Sequence, residues 1–258
     1  MTPVEIVAIV LAGMAAGAIN TIVGSGSLIT FPTLLAFGFS PLVANVTNTI
    51  GIVPGSISGA IGYRRELRGQ RSRLIRLGIF GGLGGLTGAV LLLWLPASAF
   101  GKIVPILILF AVVLVAVGPR VTRAMAARRA ARFEAGHPPE REHPLALIVG
   151  VYLTGIYGGY FGAAQGVIFI ALLGIFVVED LQRLNAVKNV IAVIVNVVAA
   201  IIFVAVAPID WPAAVLLAMG AIVGGQIGAY VGRRLSPTVL RVAIIVVGTV
   251  VAVRLLIS

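Results

Sequence analysis

The chain has 258 residues, of which 60% are hydrophobic and 10% are charged, and its mean hydropathy is +1.13. A soluble protein of this length needs many more charged residues on its surface, so the composition excludes an ordinary soluble enzyme or binding domain. The sequence contains no cysteine, and both histidines lie in one basic segment. We therefore expect no disulfide, no metal site and no cofactor.

Several apolar stretches approach or exceed the ~20 residues that a helix needs to cross a bilayer. They are residues 4–23, 42–63, 74–95, 103–118, 187–207, 213–231 and 239–257. This pattern predicts an all-α membrane protein with about eight full spans and two short half-helices, and with the lipid bilayer as its surroundings.

One unusual arrangement occurs twice, about 140 residues apart: an apolar helix broken by a glycine-rich turn, then a helix with amide side chains. The first copy comprises residues 17–39 (GAINTIVGSGSLITFPTLLAFGF) and 44–55 (ANVTNTIGIVPG). The second comprises residues 155–176 (GIYGGYFGAAQGVIFIALLGIF) and 184–196 (LNAVKNVIAVIVN). Polar turns at corresponding places in two halves of a membrane protein indicate a transporter's binding site.

The formal net charge of +11 comes mainly from arginine clusters in residues 64–76, 119–143 and 233–234. These clusters flank apolar segments, which is typical of cytoplasmic loops and argues against nucleic acid as a partner. Alternation of the spans then puts both termini outside a bacterial inner membrane. The first broken helix enters from outside and the second from inside, so the sequence predicts inverted-topology repeats. Their boundaries are a first repeat at 1–118, a basic cytoplasmic linker at 119–143 and a second repeat at 144–258.

Two corresponding helices are dense in glycine, at residues 78–88 and 220–232. Small residues at this spacing favour close helix–helix packing, and the alternative is that they line a narrow substrate path.

The two turns are candidate binding elements because a broken helix exposes backbone N–H groups and a partial positive charge at its new N-terminus. The short helices that follow are predicted at residues 28–37 and 167–176. Two such N-termini meeting near the membrane midplane would form an anion site; alternatively, the turns only pack. The candidate residues of the turns are Gly24, Ser25, Gly26, Ser27, Gly162, Gln165 and Gly166.

The helices after the turns carry further candidates on shared faces, since residues three or four apart lie side by side. They are Asn45, Thr47, Asn48, Asn185, Lys188 and Asn189. Lys188 either binds the substrate or extends along the helix to the cytoplasmic surface. No carboxylate lies in the middle of a predicted span, which disfavours an acidic proton relay, a sodium site and a cationic substrate. No Ser/His/Asp set lies at a common depth, so we do not expect an enzyme.

The residues that carry these features resemble a known family. The segment GSGSLITFP (residues 24–32) is similar to the first repeat of the TauE/SafE family, and GAAQGVIFI (162–170) with NAVKN (185–189) resembles the second. Ser27, Ala163 and Ala164 stand where that family commonly has glycine. The resemblance covers essentially the whole chain, and it implies an inner-membrane permease for small sulfur-containing or organic anions such as sulfite or sulfoacetate.

The leading hypothesis is therefore an anion exporter or permease with one midplane site and alternating access through rocking of the two repeats. A passive anion channel of the same architecture and a non-transporting membrane scaffold are the alternatives. The expected partners are a small anionic substrate and lipid. The sequence leaves open whether the chain also associates with further copies of itself.

Overall fold

The computed structural model describes residues 1–134 and 144–231, and from the remainder residues 242, 245–246, 248–253 and 255. The two long described ranges contain helices and connecting turns without strands, which confirms the all-α class. In chain order the helices are α1 (Pro3–Ile22), α2 (Ser27–Ala36), α3 (Pro41–Gly62), α4 (Arg71–Trp94), α5 (Ala97–Glu134), α6 (Pro144–Tyr160), α7 (Gln165–Phe176), α8 (Leu181–Val206) and α9 (Trp211–Val231).

Within the described ranges, five helices are long and apolar enough to cross a membrane, so the chain is a multi-pass membrane protein. They are Pro3–Ile22, Arg71–Trp94, Ala97–Val121, Leu181–Val206 and Trp211–Tyr230. Helix α3 has 22 residues and is long enough to span a membrane. It is less apolar than these five helices because it contains asparagine, threonine, serine and glycine residues, which are buried inside the protein. The basic pair 233–234 and about half of the predicted span 239–257 lie outside the described residues.

Both predicted helix breaks are present, and the two helices end in the same way. Gly24 follows α1 with φ +87°, and its N–H donates to the Ile19 carbonyl over 3.0 Å. Gly162 follows α6 with φ +76°, and its N–H donates to the Tyr157 carbonyl over 3.0 Å. A positive φ costs glycine little, so these positions stop the helices cleanly. The half-helices α2 and α7 have 10 and 12 residues and lie within two residues of their predicted bounds.

Helix α5 has 38 residues and continues to Glu134, well into the segment predicted as a linker. Residues 120–134 (RVTRAMAARRAARFE) are dominated by alanine and arginine, which have high helix propensity. The basic composition had indicated a connection outside the membrane, but it did not distinguish a loop from a helix. Residues 135–143 lie outside the described ranges.

Glycine faces hold α9 tightly against the first half of the chain. A Cβ atom on Gly13 of α1 would lie 2.5 Å from the Leu217 carbonyl oxygen, and one on Gly224 of α9 would collide with the Met14 carbonyl. On its other side, α9 presents Gly225 to the backbone of α3. The backbone of α9 therefore approaches those of α1 and α3 at distances that only glycine permits.

The second glycine-dense helix, α4, packs in the same manner against the second half of the chain. A Cβ atom on Gly155 of α6 would lie 2.6 Å from the Gly81 carbonyl oxygen, and one on Gly88 would collide with the Ile156 carbonyl. The interpretation of both glycine-dense helices as packing surfaces is confirmed.

The two halves thus exchange their fourth helices. We call α1, α2, α3 and α9 the first group, and α4, α6, α7 and α8 the second group; each is held together by its most extensive helix contacts. The groups meet chiefly where α3 packs on α8. Near this junction Phe31 of α2 contacts Phe161 edge to face, with ring centroids 5.3 Å apart. The candidate residues other than Thr47 lie along this α3–α8 junction and on the two turns beside it.

Candidate functional site

The two glycine-rich turns touch each other in the interior. The N–H of Gly166, at the start of α7, donates to the carbonyl of Gly24 over 3.1 Å. Their Cα atoms are so close that a Cβ on either residue would collide with the other. This contact makes Ser25 and Gln165 neighbours of the junction between the turns. It also uses one of the N–H groups that would otherwise be free at the start of α7.

Lys188 lies inside the protein, with 1% of its surface exposed. Its Nζ atom donates to the carbonyl oxygens of Asn20 and Thr21, each 3.3 Å away. These carbonyls belong to the last turn of α1, where a helix carries a partial negative charge and lacks partners for its C=O groups. The alternative interpretation required this side chain to extend along the helix to the cytoplasmic surface. Its amine group instead ends inside the protein, against α1.

Two amides on the same face of α8 join Lys188 at the end of α1. The Nδ2 atoms of Asn185 and Asn189 donate to the Thr21 carbonyl over 3.4 and 3.3 Å. All three side chains thus converge on one helix C-terminus, as their shared face predicted. They link the second group to the break in the first group's α1.

Helix α3 has the corresponding relation to the other broken helix. The Nδ2 atom of Asn45 donates to the Tyr160 carbonyl, at the end of α6, over 3.0 Å. Three residues further along α3, the Oδ1 atom of Asn48 accepts a hydrogen bond from the Thr30 hydroxyl of α2. Each amide-bearing helix therefore stabilises a backbone end that belongs to the other half of the chain.

Thr47 lies apart from the other candidates. Its hydroxyl oxygen accepts a hydrogen bond from the backbone N–H of Asp210, in the α8–α9 connection, over 3.1 Å. It is adjacent to Asn48 in sequence, but successive helical residues point about 100° apart, so the two side chains contact different elements. Ser27 begins α2 and is buried, with 5% of its surface exposed.

Asn196 is a polar residue of the interior that the sequence reasoning did not select. Its Oδ1 atom accepts a hydrogen bond of 2.8 Å from Nε2 of Gln165. A signal was present, since an amide within an apolar helix seven residues after Asn189 falls on the same helix face. The carbonyls of Asn20 and Thr21 were also missed, because backbone acceptors have no sequence signature.

The charge around Lys188 is not balanced by a carboxylate in the part of the chain that the structure describes. Ion pairs there include Glu179 with Arg73 (3.6 Å) and with Arg183 (2.8 Å), and they lie at the helix ends. Among the described residues no group of three His, Asp or Glu is arranged to hold a metal ion. The polar candidates of the turns, α3 and α8 are at most 9% exposed, so this conformation is closed to water.

Comparison with known proteins agrees with this architecture. The profile of the family described as "Sulfite exporter TauE/SafE" matches residues 9–255. The chain is 26% identical to "Probable membrane transporter protein YfcA" of Escherichia coli strain K12, over 99% of this chain and 91% of the relative. It is 24% identical to "Probable membrane transporter protein ORF9" of Sinorhizobium sp, over 95% and 90%. A "Probable membrane transporter protein" of Haemophilus influenzae strain Rd is also 24% identical, over 94% and 91%.

No solved structure matches the chain. The family match extends through both broken helices and across nearly the whole length, and the relatives are named as membrane transporters, not enzymes. This multi-pass protein, with its paired helix breaks and its interior lysine, belongs to the TauE/SafE family of membrane transporters.

Proposed function

We propose that the protein transports small sulfur-containing or organic anions, such as sulfite or sulfoacetate, by alternating access around a site at the two turns. The observation that carries the proposal is Lys188, a buried lysine whose hydrogen-bond partners among the described residues are two backbone carbonyls. A buried charge is costly unless an opposite charge or several hydrogen bonds compensate it. Two carbonyl dipoles compensate it in part, and an anionic substrate would supply the rest.

The binding site that we propose comprises the polar and glycine residues of both turns and of the facing helices. It includes Gly24, Ser25, Gly26, Ser27, Asn45, Thr47, Asn48, Gly162, Gln165, Gly166, Asn185, Lys188 and Asn189. Amides and hydroxyls can hydrogen-bond the oxygens of a sulfonate or carboxylate without adding negative charge. Thr47 contributes only if α3 turns relative to its present contact with the α8–α9 connection.

The directions of the helices support inverted repeats. Arg183 at the start of α8 donates to the Arg68 carbonyl just before α4 over 3.1 Å, so α4 and α8 begin at the same end of the bundle. Helix α6 runs parallel to α4, which means that α6–α7 begins and ends there as well. At the opposite end Asp210 contacts Thr47 near the start of α3, and α1 runs parallel to α9. We infer that the two broken elements enter from opposite faces, with the arginine-rich face in the cytoplasm.

The exchange of helices suggests how access would alternate. Because α9 packs on α1 and α3, and α4 packs on α6 and α8, the moving units of the proposal are the two groups and not the two halves of the sequence. Their boundary at α3 and α8 carries the amides and Lys188. Burial of these residues fits the closed state that alternating access requires.

The first test is thermal unfolding of the purified protein with sulfite, sulfate, thiosulfate, sulfoacetate, taurine and simple carboxylates at equal ionic strength. A ligand present at 100 times its dissociation constant stabilises a protein by about 2.7 kcal/mol, which gives a clear rise in Tm. We expect a rise for selected anions in the wild type and none in Lys188→Met, whose side chain has a similar length without the charge.

The control variant is Gln226→Leu. It removes the hydrogen bonds from Nε2 of Gln226 to the Ser58 carbonyl (2.9 Å) and hydroxyl (2.8 Å), which join α9 to α3 and involve none of the proposed site residues. This variant should keep the anion response of the wild type. A scaffold function would be indicated if no anion changed the Tm of the wild type, and large uncoupled currents in liposomes would indicate the channel.

A further inference from the structure

The contact between Gln165 and Asn196 leaves two buried polar atoms without partners. Nε2 of Gln165 donates to Oδ1 of Asn196, and this single bond joins the first residue of α7 to the middle of α8. Within the described residues, Oε1 of Gln165 and Nδ2 of Asn196 have no hydrogen-bond partner. The two side chains are only 3% and 2% exposed, so bulk water does not satisfy them.

The identity of the unused groups determines what they can bind. Each amide offers one carbonyl acceptor and one NH₂ donor. Turning both amides over would exchange their roles, but it would still leave one acceptor and one donor unused. A ligand that satisfies both must therefore accept one hydrogen bond and donate another.

Other buried polar groups without partners near the junction of the turns also favour a ligand that donates a hydrogen bond. Oδ1 of Asn45 is a buried acceptor without a partner among the described residues, and the buried Ser25 hydroxyl has none there either. A fully deprotonated anion such as sulfate offers acceptors only. It would leave the carbonyl oxygens of the amides unpaired in the interior, and an unpaired buried acceptor is costly.

The position of the pair along α8 indicates the size of the ligand. Asn196 follows Lys188 by eight residues, which corresponds to about 12 Å along the helix axis. This separation along the helix favours a ligand with two polar ends over one tetrahedral ion. A short organic anion can place its charged group toward Lys188 and a second polar group toward the amides.

We propose that Gln165 and Asn196 form a subsite for a hydroxyl, amino or protonated acid group on the substrate. The substrate class is then a short organic monoanion with a hydrogen-bond donor at the end opposite its sulfonate or carboxylate. This inference rests on the proposed anion transport and specifies which anions the site selects.

The test uses probes that match in charge and shape and differ only in the donor. The sulfonate pair is 2-hydroxyethanesulfonate and 1-propanesulfonate, and the carboxylate pair is 3-hydroxypropanoate and butanoate. Binding to the purified full-length protein is measured by calorimetry. In at least one pair, we expect the hydroxylated probe to bind at least about tenfold more tightly, since the methyl analogue leaves buried amide groups unpaired.

The matched variant is the double replacement Gln165→Leu with Asn196→Leu. Replacing both partners with apolar groups of similar shape removes the unpaired atoms as well as the bond, so the fold should tolerate it. The variant should bind both members of each pair equally, while Lys188→Met should bind neither.

The possible results separate this inference from the proposed function. Equal affinity of the wild type for both members of each pair overturns the donor subsite and leaves anion transport standing. Preference for the hydroxylated probe that persists in the double variant also overturns it, because other groups would then recognise the hydroxyl. Failure of all four anions to bind the wild type overturns the proposed function and the subsite with it.

Discussion

The Thr21 carbonyl is shared by three side chains of α8, namely Asn185, Lys188 and Asn189. A helix that ends inside a membrane leaves several carbonyls without partners, and each unpaired group there costs several kcal/mol. Lys188 offsets this cost with both a hydrogen bond and a positive charge at the negative end of the α1 dipole. In the function that we propose, the same side chain stabilises the broken helix when no anion is bound and contacts the anion when one is bound.

A substitution of Thr30 tests how much the hydrogen bond between α2 and α3 contributes to the stability of the protein. The Thr30 hydroxyl donates to Oδ1 of Asn48, and both side chains are buried. We expect Thr30→Val to lower the free energy of unfolding by about 1–3 kcal/mol, because it keeps the shape but leaves the Asn48 acceptor unpaired. Thermal unfolding in detergent measures the change.

The matched control is Thr33→Val in the same helix. The hydroxyl of Thr33 bonds only to the Ile29 carbonyl within its own helix over 2.8 Å, so its loss leaves no group of another helix unpaired. We expect a change within about 0.5 kcal/mol. Equal destabilisation by the two variants would contradict the importance that we give to the α2–α3 bond.

The sequence located most of the interior polar residues but not their partners. Asn45 and Lys188 stood out because polar side chains are rare in apolar helices, and both are indeed buried. Their partners are backbone carbonyls of the opposite half, which no residue type reveals. Asn196 ends the second repeated segment, seven residues after Asn189, and its role becomes visible only when α7 brings Gln165 against it.

Among the elements, the pair α4 and α6 shows how little space separates two helices that meet through glycine. A Cβ on Gly88 would collide with the Ile156 carbonyl and lie 2.7 Å from the Tyr160 backbone nitrogen. Both neighbours are backbone atoms of a helix, so neither can move aside alone. The separation of α4 and α6 is therefore fixed by the absence of a side chain.

We expect Gly88→Ala to destabilise the protein strongly and to reduce the yield of monodisperse protein, because α4 and α6 must separate to accommodate the methyl group. Gly101→Ala, in α5, is the control, since a Cβ there has no atom within 4 Å. Alanine is favoured over glycine in a helix by about 1 kcal/mol, so this variant should be neutral or stabilising. Size-exclusion profiles and Tm values compare the two, and similar behaviour would contradict the packing argument.

For the helices, sequence patterns predicted where each one begins and ends better than which other helix it packs against. The breaks at Gly24 and Gly162 and the half-helices α2 and α7 followed from glycine turns between apolar runs. Positive charge after residue 119 predicts a connection outside the membrane but does not show that α5 continues to Glu134, for which the helix propensity of alanine and arginine is the better signal. Glycine density predicted close packing for α4 and α9, but a glycine face does not specify which helix will cover it.

For the whole molecule, the exchange of α4 and α9 makes the two halves of the sequence interdependent. Neither half contains the helix that covers the glycine face of its own first helix. The repeat boundaries read from the sequence therefore describe similarity between segments, whereas the two groups describe what packs together.

We predict that the halves 1–139 and 140–258 fold only in each other's presence. Expressed alone, each should be degraded or should elute as an aggregate, because the glycine face of α1 or of α6 lacks its partner. Expressed together in membranes, a tagged first half should copurify with the second half. Recovery of a stable, monodisperse first half alone would show that the exchanged helices are not required.

The pairing of α1 with α9 also determines when, during biosynthesis, the first group can assemble. Gly13 and its contact Leu217 are separated by about 200 residues, and a ribosome adds about 5–20 residues per second. Roughly 10 to 40 s therefore pass between synthesis of the first helix and arrival of its partner. During that interval the glycine face of α1 is in contact with lipid or with the insertion machinery, so assembly of the first group is completed late in translation, when α9 is inserted.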